Sequence, residues 1–175
     1  MMVNKEYAKA LFSLAKENNC LKEIDDNFNL FITSLNENVD YFKILTYPNI
    51  KINEKKNSIK EVYSSLNSLF VDFLYVLIDN NQMVIAKDIH NEFVKLMNEE
   101  NKIKVIEVYS NKKISKDDYS EIMNKLKGQK YFAGYDFEIE NYVEESLIGG
   151  IRIICDGQLL DLTLDTKILN LKESI

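Results

Sequence analysis

Glycine is missing from residues 1–127. All five glycines (Gly128, Gly134, Gly149, Gly150 and Gly157) fall in the last third of the 175-residue chain. Glycine disfavours helix interiors and serves turns and strand kinks. A helical first part and a strand-containing last part are therefore predicted. Proline occurs once, at Pro48, arginine once, at Arg152, and histidine once, at His90. The two cysteines, Cys20 and Cys155, are too far apart for a disulfide framework or for the paired ligand spacing of a zinc site. They read as free intracellular thiols. No stretch approaches the ~18 uninterrupted apolar residues of a membrane-spanning helix. The opening run MMVNKEYAKALFSLAKENN carries charges inside its apolar pattern, unlike a secretory signal. Net charge is −6 and no dense Lys/Arg block exists, so nucleic acid is not expected as a partner.

The motifs of catalysis are missing as well. There is no phosphate-binding Gly-rich loop ending in Lys-Ser/Thr, no G-x-G-x-x-G, no H-E-x-x-H and no G-x-S-x-G. Gly149-Gly150 sits inside an apolar strand pattern, where it reads as a kink or a close backbone approach. His90 lies on a polar helical stretch with no nucleophile placed beside it. The acid pairs Asp25-Asp26, Glu99-Glu100, Asp117-Asp118 and Glu144-Glu145 read as solvated surface, because adjacent residues on a helix do not face each other. Neither an enzyme activity nor a cofactor is expected.

What is present is helical period. Six helices are predicted over residues 4–19, 21–37, about 39–46, about 53–65, 66–80 and about 82–101. Asn18-Asn19 and Asn80-Asn81 close the first and fifth, since Asn tolerates the left-handed C-terminal position. Pro48 stops the third. Leu21, Ile24, Phe28, Phe31 and Leu35 form one stripe of the second helix. After Asn101 the period changes. Ile103–Ser110 is strand-like, and Ser115 with Asp118 makes a capping box that opens a helix to about Lys127. Tyr135, Phe137 and Ile139 alternate with acids, LIGGIRIIC reads as a strand, and Asp156-Gly157 turns the chain into QLLD. Thr163 caps a last helix. The fold class is α+β: an N-terminal six-helix bundle over 1–101 and a small β-α-β-β-β-α domain over 102–175.

Two helices carry more apolar surface than one core requires. On the first, Tyr7, Ala8, Ala10, Leu11, Phe12, Leu14 and Ala15 span an arc of roughly 200°. On the fifth, the apolar positions from Leu66 to Ile78 span roughly 260°. A stripe somewhat over ~100° suffices for a helix covering a single core. Either both helices are central and surrounded, or part of each arc lines a groove for a partner helix.

YAKALFSLAKE (Tyr7–Glu17), FLYVLIDNNQM (Phe73–Met83) and LIGGIRIICDGQLLDLTLDTKILNL (Leu147–Leu171) resemble, in order and along the whole chain, the delta subunit family of bacterial F-type ATP synthase, related to the mitochondrial oligomycin-sensitivity-conferring protein. Two positions depart from the family pattern. Leu162 stands where glycine is usual and Asp165 where a basic residue is usual, while Lys167 keeps a positive charge nearby. The resemblance implies a stator subunit without catalysis or cofactor. Its expected partners are N-terminal helices of the alpha subunits of the catalytic head and the b subunits of the peripheral stalk. It also selects the groove: Tyr7, Ala10, Leu11 and Leu14 on the first helix and Phe73, Val76, Leu77 and Asn80 on the fifth are expected to bind the alpha-subunit helix. Ala8, Phe12, Leu74 and Ile78 are expected to face the core. The alternative is a helical-bundle adaptor of another complex whose small domain binds a ligand or RNA.

Overall fold

The computed structural model describes residues 2–127, 134–147, 150–155 and 158–163. The chain is of mixed α and β class, and divides into two compact units, Met1–Met97 and Asn98–Ile175. The division falls in the last turn of a helix, a little before the boundary read from the sequence at Asn101.

The first unit holds α1 (Met2–Glu17), α2 (Leu21–Glu37), α3 (Val39–Thr46), α4 (Ile52–Tyr63), α5 (Ser68–Asp79) and α6 (Ala86–Glu100). The same local device ends α1 and α5. Asn19 and Asn81 both adopt φ 54, the left-handed region that asparagine enters more readily than most side chains. The chain reversal then feeds amides back to the open carbonyls: Cys20 N–H to Ala15 O at 2.9 Å, and Gln82 N–H to Leu77 O at 2.8 Å. The preceding asparagines repeat the symmetry, Asn18 Nδ2 donating to Leu14 O and Asn80 Nδ2 to Val76 O. α3 stops at Thr46, with Tyr47 extended ahead of Pro48.

Several boundaries differ from the sequence reading. α1 runs Met2–Glu17 and not 4–19, and α4 ends at Tyr63, not near residue 65. α5 begins at Ser68 and not at Leu66, because Asn67 takes the N-cap and its Oδ1 accepts from Leu69 N–H at 3.0 Å. The sixth helix does not run unbroken from Gln82: a single 3-10 turn, Met83–Ile85, precedes α6.

The core of this unit is aromatic and centred on α2. Phe28, fully buried, meets Phe70 (5.0 Å) and Phe73 (5.8 Å) of α5, and His90 (4.8 Å) and Phe93 (6.4 Å) of α6. Phe31 meets Tyr63 of α4 and Phe70 of α5, and Phe12 of α1 meets Phe93. Such ring pairs contribute about 0.5–1.5 kcal/mol each beyond their buried area. Asn27, also buried, turns its Oδ1 to Asn67 N–H at 3.0 Å and so ties α2 to the start of α5.

The second unit holds β1 (Ile103–Ser110), α7 (Lys116–Lys127), β2 (Asp136–Val143), β3 (Gly150–Cys155) and β4 (Gln158–Thr163). The sheet order is β2-β1-β3-β4, with β1/β2 parallel and the other pairs antiparallel. Ser115 N–H donates to Asp118 Oδ2 at 3.1 Å, and Asp118 N–H to Ser115 Oγ at 3.2 Å, the reciprocal box that opens α7. Ser115 Oγ also donates to Asp118 Oδ2 at 2.6 Å, and this bond, then the one from Ser115 N–H, holds the Asp118 carboxyl below the usual carboxylate range. One sheet face is apolar: Ile106, Val108, Phe137, Ile153 and Cys155 are buried together with Ile122 of α7. Asn141 closes its end, donating to Val108 O and Ser110 Oγ and accepting from Ile114 N–H. β3 opens at Gly150, whose φ of 83 favours glycine, and not at Leu147. The Asp156-Gly157 turn, Gly149 and the helix expected after Thr163 lie outside the described residues.

Replacing Asn27 by Ala strips Asn67 N–H of its buried acceptor. We expect it to lower unfolding free energy by about 1–3 kcal/mol. The check is a urea melt, in which the midpoint falls while the slope stays constant.

Candidate docking surface

The two apolar-rich helices meet the rest of their unit differently. On α5, Phe70, Phe73, Leu74, Leu77 and Ile78 are buried, while Leu66, Leu69, Val71 and Tyr75 pack partly buried against the core. Only Val76 of that arc stays well exposed, at 44%. The breadth of the α5 arc is thus mostly that of a surrounded helix. On α1 the surplus survives. Ala8, Leu11 and Ala15 close the core and Phe12 packs against it, while Ala10 and Leu14 (49% exposed) face outward.

The eight residues singled out from the sequence therefore lie at different depths. Leu11, Phe73 and Leu77 are buried, Tyr7 is half-buried, and Ala10, Leu14, Val76 and Asn80 are exposed. The Tyr7 ring stands edge-on to Phe73, 6.4 Å between centroids at 74°, and brings α1 against α5. Asn80 is engaged as the cap of α5 through its bond to Val76 O. Ala8, Leu74 and Ile78 are fully or almost fully buried.

His90 corrects the sequence reading. It is not on a wet helical stretch: it is 8% exposed, its ring lies stacked on Phe28, and Nε2 is 2.9 Å from Asp25 Oδ1. Asp25 is likewise half-buried and not simply solvated. The missed signal was spacing. Asp25 precedes Phe28 by three, and His90 precedes Phe93 by three, so each shares a helix face with a core aromatic. The pair joins α2 to α6. Among the described residues, no group of three His, Cys, Asp or Glu could hold a metal ion, and no helix is long and apolar enough to cross a membrane.

The described residues form a two-unit protein of mixed α and β class that leaves Ala10 and Leu14 of α1 exposed. The sequence model of the family described as "ATP synthase delta (OSCP) subunit" matches residues 3–175. A relative named ATP synthase subunit delta, from Natranaerobius thermophilus, is 34% identical over all of this chain and 96% of its own. Another of the same name, from Bacillus thuringiensis, is 33% identical over 99% of this chain and 96% of its own. A chain in the cryo-EM structure of the Toxoplasma gondii mitochondrial ATP synthase hexamer shares the fold, with TM-score 0.72 and 18% identity over 99% of this chain and 97% of that one. The chain belongs to the ATP synthase delta (OSCP) subunit family, and is a structural, non-catalytic component of the enzyme's peripheral stalk.

The depth assignment is testable without any partner. Leu77→Ala opens a core cavity and should cost about 2–5 kcal/mol of stability. Leu14→Ser and Val76→Ser should each stay within about 0.5 kcal/mol of wild type. Urea melts of the three variants give the comparison, and a Leu14→Ser loss as large as that of Leu77→Ala would refute the assignment.

Proposed function

We propose that this chain is the stator link of an F-type ATP synthase, joining the alpha/beta catalytic head to the b-subunit stalk and resisting rotor torque. The observation that carries this reading is the surplus on α1. Ala10 and Leu14 stay exposed beside Tyr7, on a helix whose other side is already spent on the core. Single exposed apolar residues are ordinary. Here, however, a small residue, a large aliphatic one and an aromatic one share one arc of α1, and the aromatic one reaches Phe73 of α5, three residues before the exposed Val76. The full-length relatives named ATP synthase subunit delta support the same reading.

On this proposal, residues 1–101 act as a six-helix bundle that grips the head. An amphipathic N-terminal helix of an alpha subunit lies along the strip formed by Tyr7, Ala10, Leu11, Leu14, Phe73, Val76, Leu77 and Asn80. Leu11, Phe73 and Leu77 form its rigid floor, Ala10 admits close backbone approach, and Tyr7 is the aromatic anchor. Residues 102–175 hold the C-terminal end of the b subunits. Torque is resisted because both grips are on the same chain. The chain carries no cofactor and binds no nucleotide, and it stays at the cytoplasmic face of the bacterial membrane through its partners.

Two titrations test this. Ala10→Leu should weaken binding of an alpha-subunit N-terminal peptide by roughly 1–3 kcal/mol while changing stability much less, and Tyr7→Ala should weaken it by a similar amount but also cost stability, because its ring packs on Phe73. If both variants bind as wild type does, the strip is not the docking site. Separately, ATP with magnesium should release no heat on titration into the full chain, and a micromolar dissociation constant would defeat the purely structural reading.

A further inference from the structure

The sheet of the second unit has two unlike faces. One is buried on α7. The other carries Val105, Glu107 and Tyr109 from β1, Glu138, Glu140 and Tyr142 from β2, and Arg152 and Ile154 from β3, none of them buried. The register sets like against like: Glu107 is opposite Glu140, and Tyr109 is opposite Tyr142. The two tyrosine rings stack at 5.2 Å and 22°. Their hydroxyls donate backward along each strand, Tyr109 to Glu107 Oε2 at 2.8 Å and Tyr142 to Glu140 Oε2 at 2.7 Å.

This arrangement is unfavourable for the isolated sheet. Like charges directly across a strand pair destabilise it. Among the strand positions of this face the one cation is Arg152, and its Nη1 is held by Glu144 at 3.1 Å. The bond to Glu140 and that carboxylate's charge, then desolvation, then Glu107 and Tyr109, push the Tyr142 hydroxyl up to about 12. A rigid tyrosine pair, with Tyr142 45% exposed, adds the amphipathic contact area typical of interface centres.

We propose, resting on the stator reading above, that this tyrosine–glutamate face is where the second unit docks a stalk helix bearing lysine or arginine. Three observations choose that occupant. The carboxylates run in a row and do not converge as a metal-ligand group, so a single ion does not satisfy them. Alternate residues of a strand are about 6.6 Å apart, close to the 5.4 Å between successive turns of a helix, so cations one turn apart reach Glu138 and Glu140 together. The stacked rings offer a surface on which an aliphatic lysine stem or a guanidinium plane lies flat. A negative face also repels nucleic acid.

The experiment titrates a soluble segment of the same organism's b subunit into the full-length chain at low and high salt. Wild type should bind, and weaken as salt rises. The triple variant Glu107→Gln, Glu138→Gln, Glu140→Gln should bind at least ten-fold more weakly, with most of the salt dependence gone. Tyr142→Ala should weaken binding several-fold. Glu61→Gln, an exposed acid of α4, should match wild type, and circular dichroism should show all variants folded. A folded triple variant that binds within two-fold of wild type overturns this proposal and leaves the stator reading standing. Wild type failing to bind the segment overturns the stalk half of that reading, and this proposal with it. Self-association of wild type that the triple variant abolishes would give the face to a second copy and overturn the proposal as well.

Discussion

One side chain, Phe28, decides the shape of the helical unit. It sits on α2 with no exposure and touches rings on α5 and α6 at once. α1 enters the same aromatic network second-hand, through Tyr7 on Phe73 and Phe12 on Phe93. The strip proposed for docking therefore inherits its position from a residue that never reaches the surface. Tyr7 is held by Phe73, and Phe73 by Phe28. His90, stacked on Phe28 and bonded to Asp25, adds a polar tie between the same two helices, α2 and α6. A buried polar group needs its partner, so this tie also limits how α6 can be rotated against α2.

Much of the fold was legible because local chemistry and tertiary packing agree. The Asn-Asn pairs ended α1 and α5 as their left-handed tolerance suggests, and the Ser115–Asp118 box opened α7. β1 matched its eight predicted residues because β-branching and burial coincide there. Disagreement arose where a cap competed with apolar content. Leu66 looked like helix by composition, yet Asn67 took the N-cap and moved the start to Ser68. Met83–Ile85 looked helical by period, yet the chain leaves Asn81 in a left-handed turn and needs a tighter 3-10 step before α6.

The depth of the candidate residues was legible only in part, for a physical reason. A helical wheel counts apolar residues but not neighbours. On α5 the wheel's surplus was absorbed almost wholly by surrounding helices, leaving Val76. On α1 the same count left Ala10 and Leu14 outside. A wheel can place Asp25 and His90 each on the face of a core aromatic but not pair them, because residues 65 apart share no local pattern. The acidic sheet face was hidden as well. Alternation marked Glu138 and Glu140 as outward, but their register against Glu107, and the pairing of Tyr109 with Tyr142, are tertiary facts.

The strand order β2-β1-β3-β4 has a consequence for how the protein is made. β1 is the first strand synthesised, yet it lies inside the sheet, and both of its neighbours, β2 and β3, come later in the chain. About 45 residues must follow Ser110 before Cys155 completes the pairing. At about 5–20 residues per second this is roughly 2–9 s during which an apolar, β-branched segment has at least one open edge. Lys104 and Glu107 within it are charges of the kind that discourage stray strand pairing. The glutamate that burdens the finished sheet thus also guards the nascent one.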